Sequence, residues 1–239
     1  MRIGLLQCDH VADDLVDLHG DYQDMFSDLL HTQDQNIEVA IYDLTADHFP
    51  IDLHACDGYI ITGSQFSAYD DIPWIHKAKV LITDLYQAGI PTIGICFGHQ
   101  LIAESLGGKV EKATDKGWGV GVQNWEVKSS NEWMGEKAPA SFSLRASHQD
   151  QVVKMPVNSK LYASSDFCPI AGFQINKHFL SMQGHPEFSR DYSNALIEKR
   201  IDRIGKNTST IAQKSLKNKV DNNKVGAWII KFIKQAKYS

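Results

Sequence analysis

The chain has 239 residues, of which 43% are apolar and 22% charged, and its formal net charge is −5. Those values suit one sizeable folded domain and exclude a disordered or low-complexity chain. Cysteines at positions 8, 56, 96 and 168 contain no C-x-x-C pair, which argues against a zinc ribbon or a disulfide framework and for a reducing, cytoplasmic setting.

The opening run, MRIGLLQ, meets Asp9 and His10 too soon for a signal peptide or anchor, and no later window has the ~20 apolar residues a membrane span needs. Neither a membrane nor a nucleic acid is an expected partner. Short apolar runs at 2–7, 37–43, 58–62 and 91–96 read as four strands. Three of them, 2–7, 58–62 and 91–96, lack polar alternation, as strands covered on both faces do. Between the third and fourth, Ile75, Ala78, Ile82 and Leu85 or Tyr86 recur at helical spacing, and Gly89 stands where a helix cap belongs. This alternation predicts an α/β fold: a doubly wound, mostly parallel central sheet in a single domain.

From KVEKA at 109–113 the style changes. KVEKA, GVGVQNWEV, KLYASSD, PIAGFQI and FLSMQG are separated by turn residues and read as antiparallel or mixed strands extending the same sheet. Trp118 and Trp125 are expected in the core of that sheet. Helices follow at about 190–204 and 208–220. A terminal helix pairs Trp228 with Phe232 and Ile229 with Ile233, packed on the body of the domain. The expected organisation is a main domain over 1–205 with a C-terminal helical extension over 206–239. From Lys199 onward there are 11 basic and 2 acidic side chains. They are interspersed with apolar residues, which reads as a solvated helical face and not as a docking arm.

The most informative stretch is Pro91-Thr-Ile-Gly-Ile-Cys96-Phe-Gly98-His-Gln100. A strand runs directly into a helix, with a cysteine at the junction and glycines two residues to either side. That is a nucleophile elbow with sulfur in place of a serine oxygen. The helix N-terminus just beyond favours negative charge on the sulfur. His99 lies within the elbow helix, turned away from Cys96. Of ten histidines, His10, His19, His31, His48 and His54 sit in acidic or turn-like stretches typical of surface. His185 instead follows a strand and is joined to a carboxylate through proline in His185-Pro186-Glu187, a constrained pair able to serve as a base and its orienting acid.

With these two segments read, GICFGHQ and QGHPEF resemble the signatures of the class I glutamine amidotransferases, G-x-C-x-G-x-Q and H-P-E. The resemblance spans about residues 2–200 in motif order and implies a flavodoxin-like sheet. It also implies Cys96 as nucleophile, His185 as general base and acid, and Glu187 as orienting carboxylate. Relatives carry G-G-P-x-S where this chain has Gly63-Ser64-Gln65-Phe66-Ser67. On that alignment the backbone amides of Ser64 and Phe97 form the oxyanion hole. Gly63 and Gln100 border the substrate. Ser147-His148-Gln149-Asp150 resembles the S-H-x-D segment of the GMP-synthetase-type subgroup, so Ser147, His148 and Asp150 are expected beside the substrate too.

The implied chemistry is hydrolysis of the γ-glutamyl amide of glutamine or another γ-glutamyl small molecule through a thioester, with no metal or organic cofactor. One form is an amidotransferase or glutaminase subunit that passes ammonia to a separate synthetase. The alternative is a free-standing γ-glutamyl peptidase acting on glutathione-like substrates, which the Q-G-H-P-E wording and the G-S loop resemble more closely. A non-enzymatic binding module on the same scaffold is a further alternative, disfavoured by the intact Cys, His and Glu.

Overall fold

The computed structural model describes residues 1–237. Its centre is a nine-stranded sheet built from β1 (Arg2–Gln7), β2 (Glu38–Asp43), β3 (Gly58–Ile61), β4 (Thr92–Ile95), β6 (Gly119–Val127), β7 (Ser141–His148), β9 (Ser159–Ser164), β10 (Gly172–Ile175) and β11 (Phe179–Met182). Spatial order is β2-β1-β3-β4-β11-β10-β9-β6-β7. The first five strands in that order are parallel, with Gly94 opposite Ser181 and Ile95 opposite Met182 across β4 and β11. The rest are antiparallel. β3, β4 and β11 are buried along their whole length, because helices cover both faces.

On one face lie α2 (Tyr22–Gln33) and α8 (Asn222–Lys237), preceded in the chain by the short α1 (Asp13–His19). Asp21 caps α2 in a reciprocal box with Asp24, satisfying amides that helix geometry leaves free. The helix buries Tyr22, Met25, Phe26, Leu29 and Leu30. α8 buries Trp228, Ile229, Phe232 and Ile233, and Trp228 and Trp133 cross edge-on with ring centroids 5.6 Å apart. On the other face α3 (Pro73–Gln87) and α4 (Phe97–Ser105) bury Ile75, Ala78, Ile82 and Leu101 against the sheet. Gly89, just past the end of α3, has a φ of 70°.

The antiparallel half departs from expectation in two ways. The KVEKA segment does not extend the main sheet: β5 (Lys109–Lys112) pairs instead with β8 (Asp150–Lys154) in a separate two-stranded ribbon. In addition, SFSLRASH forms the long strand β7 at the sheet edge, paired with β6 over its whole length. The helical region is also more broken than the sequence implies. α5 (Arg190–Lys199) stops at Arg200, α6 (Ile201–Ile204) makes one further turn, and α7 (Lys206–Ser215) starts after Gly205 at φ 89°. Among the described residues no helix is long and apolar enough to cross a membrane.

Candidate functional site

Four segments leave the carboxyl ends of adjacent parallel strands and meet above the sheet: Asp9 after β1, Thr62–Ser67 after β3, Cys96 after β4, and Gln183–Glu187 after β11. This is where open α/β sheets gather their reactive groups. Cys96 has φ 53° and ψ −101°, a conformation that costs a non-glycine residue on the order of 1–3 kcal/mol. The backbone around it holds the turn: the Cys96 amide donates to the Met182 carbonyl (2.9 Å) and the Gly98 amide to that of Thr62 (3.2 Å). The flanking glycines are required by contact. A Cβ on Gly94 would sit 2.4 Å from the Gly98 carbonyl oxygen, and one on Gly98 would sit 2.5 Å from that of Ile61.

His185 lies against this sulfur. A Cβ added to Gly63 would be 2.8 Å from His185 Cε1 and 3.7 Å from Cys96 Cβ, so both side chains border the same point. His185 Nδ1 bonds Glu187 Oε1 at 2.6 Å, which leaves Nε2 for the sulfur side. The ring is clamped by Phe188, stacked with ring centroids 3.8 Å apart and planes 9° from parallel. Its backbone amide donates to the Arg145 carbonyl at 2.8 Å. Burial opposes a charge on the imidazole, yet the Glu187 carboxylate and the Cys96 sulfur outweigh it and hold the His185 pKa well above the ordinary value. A histidine in this setting keeps a proton available for transfer.

Phe97 opens α4, and its backbone amide, like that of Ser64, has no hydrogen-bond acceptor among the described residues. The Ser64 loop is held from below: Asp9 accepts from the Gln65 backbone amide at 2.7 Å and from its side chain at 3.2 Å.

Ser64, Cys96, Gln100, Ser147, His148 and Asp150 line one open cleft. Gln100 Nε2 donates to the Asp150 carbonyl (2.9 Å) and to Gln183 Oε1 (3.2 Å). Asp150 Oδ2 accepts from the Ser67 hydroxyl at 2.6 Å. The Ser147-His148-Gln149-Asp150 segment spans the junction of β7 and β8, and His148 Nδ1 bonds the Asp150 carbonyl at 3.1 Å. Burial, and secondarily the nearby His185, push the His148 pKa down to about 4. His99 points elsewhere, to the Ser181 hydroxyl (2.8 Å) and the Ile170 carbonyl (3.1 Å).

Several neighbours escaped the sequence reading. Gln183 donates to Cys96 Sγ at 3.5 Å, and its place two residues before His185 was the available signal. Asp9 follows β1 directly, but nothing local to it announces a partner 56 residues away. Trp118 is a correction. Trp125 is in the core, whereas Trp118 is half-buried, lines the cleft and carries the Arg203 guanidinium 5.3 Å from its ring centroid.

Comparison with known proteins agrees with this arrangement at the level of family. The family model described as Glutamine amidotransferase class-I matches residues 15–203. Gamma-glutamyl peptidase 4 of Arabidopsis thaliana is 35% identical over 187 residues, covering 76% of this chain and 73% of that protein. A GMP synthase of Ligilactobacillus salivarius is 34% identical over 143 residues, covering 59% of this chain but 26% of the synthase. A glutamine amidotransferase from Thermotoga maritima superposes with a TM-score of 0.76 at 20% identity, over 100% of this chain and 99% of the other. The chain belongs to the class I glutamine amidotransferase family.

Proposed function

We propose that the chain is a hydrolase of γ-glutamyl amide bonds, with Cys96 as nucleophile, His185 as acid and base, and Glu187 as the carboxylate that orients the imidazole. The observation that carries this reading is the junction of the elbow cysteine with a carboxylate-bound, charge-retaining imidazole at the ends of adjacent parallel strands.

The Cys96 sulfur attacks the γ-carbonyl carbon, forming the C–S bond and placing negative charge on the oxygen. The amides of Ser64 and Phe97 receive that charge; one such donor is worth about 2.7–4 kcal/mol in comparable sites. Protonated His185 gives its proton to the departing nitrogen as the C–N bond breaks, leaving a γ-glutamyl thioester. The neutral ring then takes a proton from water, whose oxygen attacks the thioester, and glutamate leaves as the sulfur is regenerated. Gln183 steadies the anionic sulfur between steps. Gly63 brings the loop close to the ring, and Gln100, Ser147, His148 and Asp150 border the substrate.

Free-standing action on γ-glutamyl peptides is favoured over ammonia supply to a synthetase. The relatives named gamma-glutamyl peptidase 4 and 3 are 35% identical over 187 and 156 residues, against 34% over 143 residues for the GMP synthase. The test is product analysis. The pure protein is incubated with glutamine, glutathione and γ-glutamyl dipeptides, and glutamate and ammonia are measured. Glutamate release from the peptides by the protein alone is expected, abolished in Cys96→Ala. Glutamine turnover that appears only with an added synthetase would support the subunit reading instead. Absence of turnover on every substrate would leave the binding-module alternative standing.

A further inference from the structure

Three cations from separate elements converge on the Cys96 cleft: Lys112 at the end of β5, Arg200 at the C-cap of α5, and Arg203 in α6. None forms an ion pair among the described residues, whereas the neighbouring Lys199 is paired with Asp14 at 2.7 Å. Asp150 is the one carboxylate lining the cleft among the described residues, and it is bonded to the Ser67 hydroxyl. A chain of net charge −5 therefore carries a locally positive cleft beside its nucleophile.

The two guanidinium groups are held in place. Arg200 Nη1 donates to the Ser147 hydroxyl at 2.9 Å, and Arg203 rests over the Trp118 ring. Stacking occupies the face of a guanidinium and leaves its edge N–H groups directed outward, a fork that matches a carboxylate. Burial grades along the cleft. Gln100 and His148 are buried, Arg200 is half-buried, and Arg203 and Lys112 are exposed. The inner wall thus suits the γ-glutamyl end, and the cations stand where the cleft opens. Gln65, Arg200 and Arg203 also line an adjoining hollow with Asp9, Tyr22 and Tyr192, so there is room beyond the arginines for a leaving group larger than ammonia.

We propose that Arg200 and Arg203, assisted by Lys112, form an anion subsite for a carboxylate carried on the amine side of the scissile bond. The preferred substrates are then γ-glutamyl peptides with a free carboxylate close to the cleaved amide, above glutamine. This rests on the hydrolysis of γ-glutamyl amides proposed above.

Binding to the Cys96→Ala protein separates the subsite from the chemistry. Calorimetry with γ-glutamylglycine and with γ-glutamylglycinamide, which lacks only the charge, is expected to show the acid binding about five- to tenfold tighter at low salt, with the advantage shrinking as salt rises. The ratio falls toward one in Cys96→Ala carrying Arg200→Gln and Arg203→Gln, and recovers in part with Arg203→Lys. A matched thermal unfolding curve confirms that each variant is folded. Equal affinity for the two ligands, undetectable binding of both, or a preference that survives both Gln substitutions would overturn the subsite. So would an equal loss for both ligands, which assigns the arginines to the γ-glutamyl end. A charge preference in binding without turnover of either peptide by the Cys96 protein would keep the subsite and remove the hydrolytic reading.

Discussion

Replacing Gly63 by alanine tests the site through a single methyl group. The added Cβ would stand 2.8 Å from His185 Cε1, where ordinary contact begins at 3.4 Å, so about 0.6 Å must be found. The imidazole cannot easily supply it, being stacked on Phe188 and bonded to Glu187 at 2.6 Å. If the ring moves, it leaves the sulfur; if the loop moves, it carries the Ser64 amide with it. A misplacement of ~1 Å at a reacting centre can cost about 100-fold, so kcat for γ-glutamyl peptide hydrolysis should fall by about 10- to 100-fold. Stability should change little. Gly63 does not have a positive φ, and at a compatible position Gly→Ala returns about 0.4–1 kcal/mol through the unfolded chain, offsetting part of the strain. Steady-state kinetics alongside thermal unfolding decide the matter. A folded Gly63→Ala protein with kcat within twofold of the parent would refute the placement of His185 against this loop.

Glu187→Gln should lower kcat by about 10²–10⁴ with a smaller change in KM, because the imidazole loses the carboxylate that orients it and keeps it charged; an unchanged kcat would contradict that role. Gln183→Leu removes the donor at 3.5 Å from Cys96 Sγ and should slow iodoacetamide alkylation at neutral pH by about tenfold, since bonds to charged groups are worth ~1.5–3 kcal/mol. An unaltered alkylation rate would exclude that contact. Burial pushes His99 down to about 3 and His148 to about 4, while unfolded histidines charge near ~6.5. Stability from these two rings is therefore fully present above ~6.5 and lost as pH falls below it, by up to about 1.4 kcal/mol per pH unit per ring. His185 has the opposite sign: its raised pKa stabilises the fold below ~6.5 and that contribution is lost as pH rises toward the raised value. Denaturant titrations at pH 5, 6 and 7 should show the acid-side loss, and a flat profile would count against the buried neutral rings. Trp228→Ala should destabilise by about 3–5 kcal/mol if α8 belongs to the core, and a loss below ~1 kcal/mol would detach it.

Local chemistry made part of this legible in the sequence. The elbow announces itself because Gly94 answers a contact made within one strand-to-helix turn, against Gly98, whereas Gly98 itself clears the neighbouring strand at Ile61. His185 and Glu187 sit two residues apart, so their partnership is visible as H-P-E. The strands β1, β3 and β4 show as unbroken apolar runs for the same reason that they are buried on both faces. Other signals were present and passed over. SFSLRASH alternates, burying Phe142, Leu144, Ala146 and His148, and α2 has both a capping box and apolar residues at helical spacing.

What remained hidden depends on chain segments distant in sequence. β5 leaves the main sheet because its partner β8 lies some 40 residues on, and a short polar strand carries no mark of which neighbour it will choose. Asp9 beneath the Gln65 loop, and Arg200 and Arg203 at the cleft, are ordinary surface residue types until tertiary packing assembles them. The basic stretch from Lys199 read as a solvated face, yet its first turns deliver two cations to the nucleophile's cleft.

The covalent intermediate is the most direct measure of the central claim. The protein is mixed with a γ-glutamyl peptide, quenched in acid, and digested for mass spectrometry. One γ-glutamyl group is expected on the peptide containing Cys96, removable by hydroxylamine and absent from Cys96→Ala. Glutamate release that persists in Cys96→Ala, or an acyl group found on any other residue, would contradict the account.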